Sequence, residues 1–152
     1  MGVAPRVESL DVWKLSHELA LEIYRVTQRF PAEERFGLTA QLRRAATSIP
    51  ASLAEGNARE SPREYLHFCL IARGSLAEVR YFLRLSRDMG LINEDTFTSF
   101  VQGYDRVGKM LHFLIVSLRK RAVHLAAASR SRVPVSQREA ACCSCTTREA
   151  SA

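Results

Sequence analysis

Arginine side chains on one segment of the chain have the type and spacing to bind phosphate groups. Four of them follow one another at steps of seven, four and three residues: Arg73, Arg80, Arg84 and Arg87. A helix turns 100° per residue, so they would share one narrow arc, and no acidic residue of the same helix falls inside it. Because the planar guanidinium group matches phosphate geometry, this arc predicts sequence-independent binding of RNA or DNA. Weaker candidates for the same role are Arg43, Arg44, Arg106 and Lys109.

A structural role is the alternative for these arginines. Glu55, Glu78 and Asp88 can pair with them within one subunit or across an interface, where arginine is favoured. The formal net charge of +6 and the isoelectric point near 9.5 favour an anionic partner. Heavy arginine use also follows from the coding bias of a genome, so both interpretations stay open.

Residue types that carry metal or catalytic chemistry are present but poorly arranged. Glu64 and His67 form one Glu-x-x-His step, whereas a di-metal bundle site needs two such motifs and further glutamates. Cys142, Cys143 and Cys145 are crowded, unlike the wider spacing of a four-ligand zinc site. The chain has no phosphate-binding glycine loop, nucleophile elbow or zinc-protease motif. We therefore expect no enzyme activity, no metal and no cofactor.

Four helices must position these residues. Apolar residues at three- and four-residue steps predict helices at about Asp11 to Phe30, Gly37 to Ala58, Ser61 to Met89 and from Asn93 onward. Gly56 and Asn57 are predicted to end the second helix in a left-handed conformation, and Gly90 to close the third. Short connections between helices of similar length predict an all-α, antiparallel up-down four-helix bundle.

Particular residues refine this bundle. Pro50 predicts a kink in the second helix, because proline lacks the amide that would bond to the Ala46 carbonyl. Ser61 with Glu64 predicts a capping box at the third helix, and Asn93 is the predicted cap of the fourth. His67 and His112 are expected to be half-buried residues of the bundle without a chemical role.

The third and fourth helices carry more apolar residues than one bundle core requires. Surplus apolar surface on a bundle helix predicts contact with another subunit or a protein partner. The residues predicted at an oligomer interface are Ile71, Phe82, Leu85, Met89, Val101, Met110, Phe113 and Ile115. A non-enzymatic homo-oligomer is the leading prediction, and an adaptor that holds a protein such as a polymerase is the alternative.

We expect the bundle to occupy residues 10–125, after a short N-terminal lead at residues 1–9. Beyond about residue 126 the composition turns to alanine, serine and arginine, which predicts a disordered basic tail over 126–152 that contains the cysteine cluster.

The most apolar window, Met110 to Leu118, is far shorter than the ~20 residues that cross a bilayer. Residues 1–14 lack the apolar run of a secretory signal, so we expect a cytoplasmic protein with no membrane contact.

The chain from about Leu10 to Leu118 resembles the four-helix bundle family encoded within intervening sequences of bacterial large-subunit ribosomal RNA genes. Three runs carry the resemblance: LDVWKLSHELALEIY, FGLTAQLRRAATSIPASLAEGNAR and IARGSLAEVRYFL. The resemblance implies an antiparallel bundle that assembles into a ring-like homopentamer. It also implies a distant similarity to the accessory bundle of diversity-generating retroelements, which binds nucleic acid and a reverse transcriptase.

Overall fold

A computed structural model describes residues 6–131, with side chains described for residues 6–125. Four long helices make up most of this range: α1 (Asp11–Thr27), α2 (Leu38–Asn57), α3 (Pro62–Asp88) and α4 (Glu94–Ser131). Two single-turn 3-10 helices precede α1 and α2, at Val7–Ser9 and Ala32–Glu34. No β-strand occurs in the described range, so the predicted all-α, four-helix fold is confirmed.

The helices enclose one apolar core. Each helix packs on the helices next to it in the chain, and α1 also packs on α4. This order of contacts is compatible with an up-down bundle. Full burial of one large aliphatic side chain contributes about 1.5–3 kcal/mol. The largest side chains at the centre, each almost wholly removed from solvent, are Ile23, Leu42, Ile49, Leu53, Leu83, Tyr104, Leu111 and Ile115.

Local signals at the helix ends behave largely as predicted. The Ser61 hydroxyl accepts a hydrogen bond from the Arg63 amide at 3.3 Å, and the Asn93 side-chain oxygen accepts one from the Thr96 amide at 2.9 Å. Gly90 has a φ of +71° and follows α3. The Leu91 amide then bonds back to the Ser86 carbonyl at 2.9 Å, which is the hydrogen bond of a Schellman motif. The predicted caps at Ser61, Gly90 and Asn93 are thus confirmed, but Ser61 accepts its bond from the Arg63 amide and not from the Glu64 amide that the predicted capping box uses.

The predicted way in which α2 ends, with Gly56 and Asn57 in a left-handed conformation, is wrong. Gly56 and Asn57 both lie inside the helix, and no residue of the described range other than Gly90 has a positive φ. Gly56 is instead a contact point with α3. A Cβ atom added there would lie 2.6 Å from Cδ2 of Tyr65 and 2.8 Å from Cβ of Phe68. Only glycine allows α2 and α3 to approach this closely.

Helix boundaries differ from prediction at two places. α1 ends at Thr27, before the predicted Phe30, although Phe30 is still buried against the core. α4 continues to Ser131, past the predicted boundary at residue 126. The rest of the predicted tail, residues 132–152, lies outside the described residues. Pro50 lies inside α2 as expected, and the kink there stays a prediction.

Candidate nucleic-acid interface

Arg80, at the middle of the predicted arginine arc, is held by an acid from the next helix. Its guanidinium Nη2 donates a hydrogen bond to Oδ1 of Asp105 on α4 at 2.5 Å. The same guanidinium lies over Gly108, where an added Cβ atom would be 3.3 Å from Nη2. The arc therefore faces the groove between α3 and α4, and α4 supplies an acidic residue at a place where the arc on α3 has none.

Arg87, at the end of the arc, makes more contacts than Arg80 does. Its guanidinium bonds to Asp88 at 2.8 Å and lies 3.8 Å from Glu94 at the start of α4. It also lies 4.3 Å from the centre of the Phe97 ring, a cation–π geometry. These contacts satisfy Arg87 at the α3–α4 turn, so it has little free capacity for a ligand.

Arg73 and Arg84 differ from the other two arginines. Both are exposed on α3. Within residues 6–125, neither has a hydrogen-bond or ion-pair partner. These two side chains are the members of the arc that remain open to an anion.

The weaker candidates on α2 have contacts of their own. Arg43 donates a hydrogen bond to the Thr27 hydroxyl at 2.7 Å and lies 4.7 Å from the centre of the Tyr24 ring, which ties α2 to α1. Arg44 pairs with Glu78 of α3 at 3.1 Å. Both side chains connect neighbouring helices.

Arg106 and Lys109 are both exposed on α4; Lys109 lies one helical turn after Asp105, whereas Arg106 does not extend the arc. Gly108 faces α3, as its closeness to Arg80 shows. Arg106 lies two positions earlier, about 200° around the helix axis, and therefore points away from α3. The eight predicted basic residues are thus distributed around the bundle, and of the four arginines of the arc only Arg73 and Arg84 leave free charge within residues 6–125.

The alternative of internal pairing is realised for part of the set. Two of the expected acids are engaged by predicted candidates, Glu78 by Arg44 and Asp88 by Arg87. Glu55 pairs with Arg59, which was not a candidate. Asp105 was not foreseen as a partner, because periodicity within α3 carries no information on which residues of α4 lie beside it.

The predicted interface residues fall into three groups. Ile71, Met89 and Phe113 are exposed, with 72% of Phe113 accessible to solvent. The half-buried residues are Phe82, Leu85, Val101 and Met110. Ile115 is only 1% exposed, so its predicted place at an interface with another copy is wrong. It lies four residues after Leu111 and shares the core-facing stripe of α4.

Sequence reasoning missed one exposed aromatic residue next to the open arginines. Tyr81 of α3 is 60% exposed and lies one helical turn before Arg84. It belongs neither to the apolar stripe nor to the arginine arc, so neither pattern selected it. A search for aromatic residues flanked by basic residues on one helix would have found it.

Buried ionisable groups lie in the core, away from this surface. Burial raises the pKa of the Cys69 thiol to about 12. Burial, and then the charge of Cys69, raises the pKa of Tyr65 to about 12. The described residues contain no group of three or more His, Cys, Asp or Glu side chains placed to hold a metal ion. Nor does any described helix combine the length and hydropathy that spanning a membrane requires.

Comparison with known proteins agrees with this architecture. No curated protein sequence matches the chain. A solved structure from Bacteroides thetaiotaomicron, a protein of unknown function from the S23 ribosomal protein family, is similar with a TM-score of 0.64 and 25% identity. The match covers 68% of this chain and 97% of that one. The family model of the 23S rRNA-intervening sequence protein matches residues 8–113. The chain therefore belongs to the 23S rRNA-intervening sequence protein family, as the resemblance predicted.

Proposed function

We propose that this protein is a cytoplasmic, non-enzymatic four-helix bundle that self-associates and binds the phosphates of nucleic acid through Arg73 and Arg84. The observation that carries the proposal is that these two exposed arginines lie on one side of α3 without a partner among residues 6–125. A net charge of +6 adds long-range attraction for a polyanion. Contacts to phosphate are independent of base sequence.

Self-association would multiply this small surface. Two free arginines on one copy give weak binding, but several copies held in a ring act together on one polyanion. The exposed apolar side chains Ile71, Met89 and Phe113 support association, because each leaves apolar surface in water on a single copy. Five copies is the number that the family resemblance implies.

The binding experiment measures affinity for mixed RNA and DNA oligonucleotides by fluorescence anisotropy over a range of salt concentrations. Each lost phosphate contact lowers the slope of log affinity against log salt by about 0.7 for single strands and 0.9 for duplex. We expect the double variant Arg73→Gln/Arg84→Gln to lose about 1.4 to 1.8 units of slope if both arginines contact phosphate. Arg44→Gln is the matched control, since Glu78 already pairs with Arg44. Absence of binding at low salt, or an unchanged slope, would contradict the proposal.

The association experiment measures mass by light scattering. The expected mass is a multiple of the 17.1 kDa chain. Phe113→Ser should shift the protein toward monomer, whereas Phe36→Ser, an exposed aromatic residue in the α1–α2 connection, should not. A wild-type protein that scatters as a 17.1 kDa monomer would contradict self-association.

A protein-binding adaptor is the second candidate. A groove of about 290 Å³ between α1 and α2 favours it, because its walls are almost entirely apolar. Trp13 stacks on His17 at 5.0 Å on one wall, and Leu21 and Tyr24 are exposed beside them. An adaptor predicts a partner that remains bound at high salt and is lost in Leu21→Glu. If Leu21→Glu leaves the bound partner unchanged, this groove is not the docking surface.

A further inference from the structure

The exposed ring of Tyr81 lies within the basic side of α3. It is 60% exposed, directly follows Arg80 and precedes Arg84 by three residues. Side chains three residues apart on a helix are neighbours, so the ring and the Arg84 guanidinium can reach the same ligand. The Tyr81 ring lies 5.4 Å from the Phe82 ring, and its exposed part is available for stacking.

The helix surface beside Tyr81 carries only small side chains. Ala77 and Gly74 lie four and seven residues before it on the same side of α3, and both are exposed. A Cβ atom added at Gly74 would meet no other atom within 4 Å. Arg73 and Arg84 lie at the two ends of this surface, about 16 Å apart along the helix axis at 1.5 Å per residue. Between Arg73 and Tyr81, this side of α3 carries only the small residues Gly74 and Ala77.

We propose that this surface, formed by Arg73, Gly74, Ala77, Tyr81 and Arg84, binds single-stranded nucleic acid in preference to duplex. The proposal rests on the proposed nucleic-acid binding and specifies its substrate class. Tyr81 stacks on the face of an unpaired base, while the two arginines contact phosphates on either side. Aromatic rings stack on any base, whereas the base faces of a duplex are already covered by neighbouring base pairs.

The test compares an unstructured oligo-dT with a duplex of the same length at one salt concentration. The variant Tyr81→Leu keeps apolar bulk but removes the aromatic face, and Tyr81→Phe keeps the face but removes the hydroxyl. Loss of one stacked base lowers affinity by roughly 5- to 150-fold. We expect that loss for oligo-dT in Tyr81→Leu, near wild-type binding in Tyr81→Phe, and unchanged duplex binding in both. Phe36→Leu is the matched control, since Phe36 is an exposed aromatic residue of the α1–α2 connection and is not part of α3.

Each other outcome has a distinct meaning. Equal binding of single strand and duplex, with no effect of Tyr81→Leu, overturns this inference while the phosphate-binding function stands. A change of mass by light scattering in Tyr81→Leu places the ring at a self-interface and also overturns the inference. Absence of binding by the wild-type protein at low salt overturns the proposed function and this inference together.

Discussion

Arg80 on α3 donates a hydrogen bond to Asp105 on α4, and this contact occupies the central cation of the predicted arginine arc. Both side chains are about half exposed. Solvent screens such a pair, so it contributes less than about 1 kcal/mol to stability. Its larger consequence is electrostatic, because Asp105 offsets positive charge between Arg73 and Arg84.

Replacing Asp105 by asparagine should therefore strengthen nucleic-acid binding. Asp105→Asn releases Arg80 as a third phosphate contact and steepens the salt slope by about 0.7 to 0.9 units. The melting temperature should change little, because the pair is exposed. Anisotropy titrations at several salt concentrations measure the slope. Glu78→Gln is the matched control, since it releases Arg44 on the α2 side of α3. A slope that stays at the wild-type value would show that Arg80 does not face the ligand.

Two glycine substitutions should change stability in opposite directions. At Gly56, an added methyl group meets Tyr65 and the Phe68 Cβ at under 3.0 Å, and the latter is fixed to the α3 backbone. Gly56→Ala should then lower the free energy of unfolding by about 1–3 kcal/mol through overpacking. Gly74 meets nothing within 4 Å, and Gly74→Ala should raise this free energy by about 1 kcal/mol through helix propensity.

Urea unfolding of both variants measures the difference. Gly103→Ala provides an intermediate case, because the added methyl group would meet only the flexible end of the Leu19 side chain, at 2.7 Å. We expect its cost to be smaller than that of Gly56→Ala. If Gly56→Ala were as stable as Gly74→Ala, the close packing of α2 on α3 described above would be incorrect.

Removing a buried hydroxyl should stabilise the bundle. Within the described residues, the hydroxyl of Tyr104 is buried without a hydrogen-bond partner, although the residue lies in the centre of the core. An unsatisfied buried polar group costs about 1–3 kcal/mol, and Tyr104→Phe removes it without leaving a large cavity. We expect a higher urea midpoint with an unchanged m-value. Tyr65→Phe should shift in the same direction, since its hydroxyl is also unpartnered. A lower midpoint in Tyr104→Phe would reveal a partner for the hydroxyl.

Stability should fall at alkaline pH. Burial raises the pKa of Cys69 in the folded state from its ordinary value of 9.0 to about 12. The folded state therefore retains a proton that the unfolded state releases. The contribution is fully present below the unfolded pKa and is lost as pH rises from about 9 towards 12. The slope is at most about 1.4 kcal/mol per pH unit for this group.

Urea unfolding at a series of pH values measures this dependence. Cys69→Ala should have lower stability at neutral pH, because it leaves a small cavity, but a shallower decline just above pH 9. The two effects can be separated, because the cavity lowers the free energy of unfolding at every pH, whereas the thiol changes how steeply that free energy falls with pH. An identical slope in both proteins would rule out Cys69 as the group that titrates first.

Most of the fold was predictable because its signals are local. The apolar stripes of four helices, the Ser61 and Asn93 caps and the Gly90 turn all depend on residues within a few positions of one another. Gly56 was misassigned for the opposite reason. A glycine near a helix end suits a left-handed turn, and its closeness to Phe68 appears only once α2 and α3 are packed together.

The sequence by itself determined the helices, the family and the arc of arginines on α3, because each depends on residue type and spacing along one segment. Tertiary structure alone decided which of those arginines are free. Asp105 reaches Arg80 across 25 positions of chain and Glu94 reaches Arg87 across the turn, while Arg73 and Arg84 meet no acid among residues 6–125. The pattern within a helix specifies the direction in which a side chain points. Whether an acid pairs with that side chain depends on which helix packs beside it.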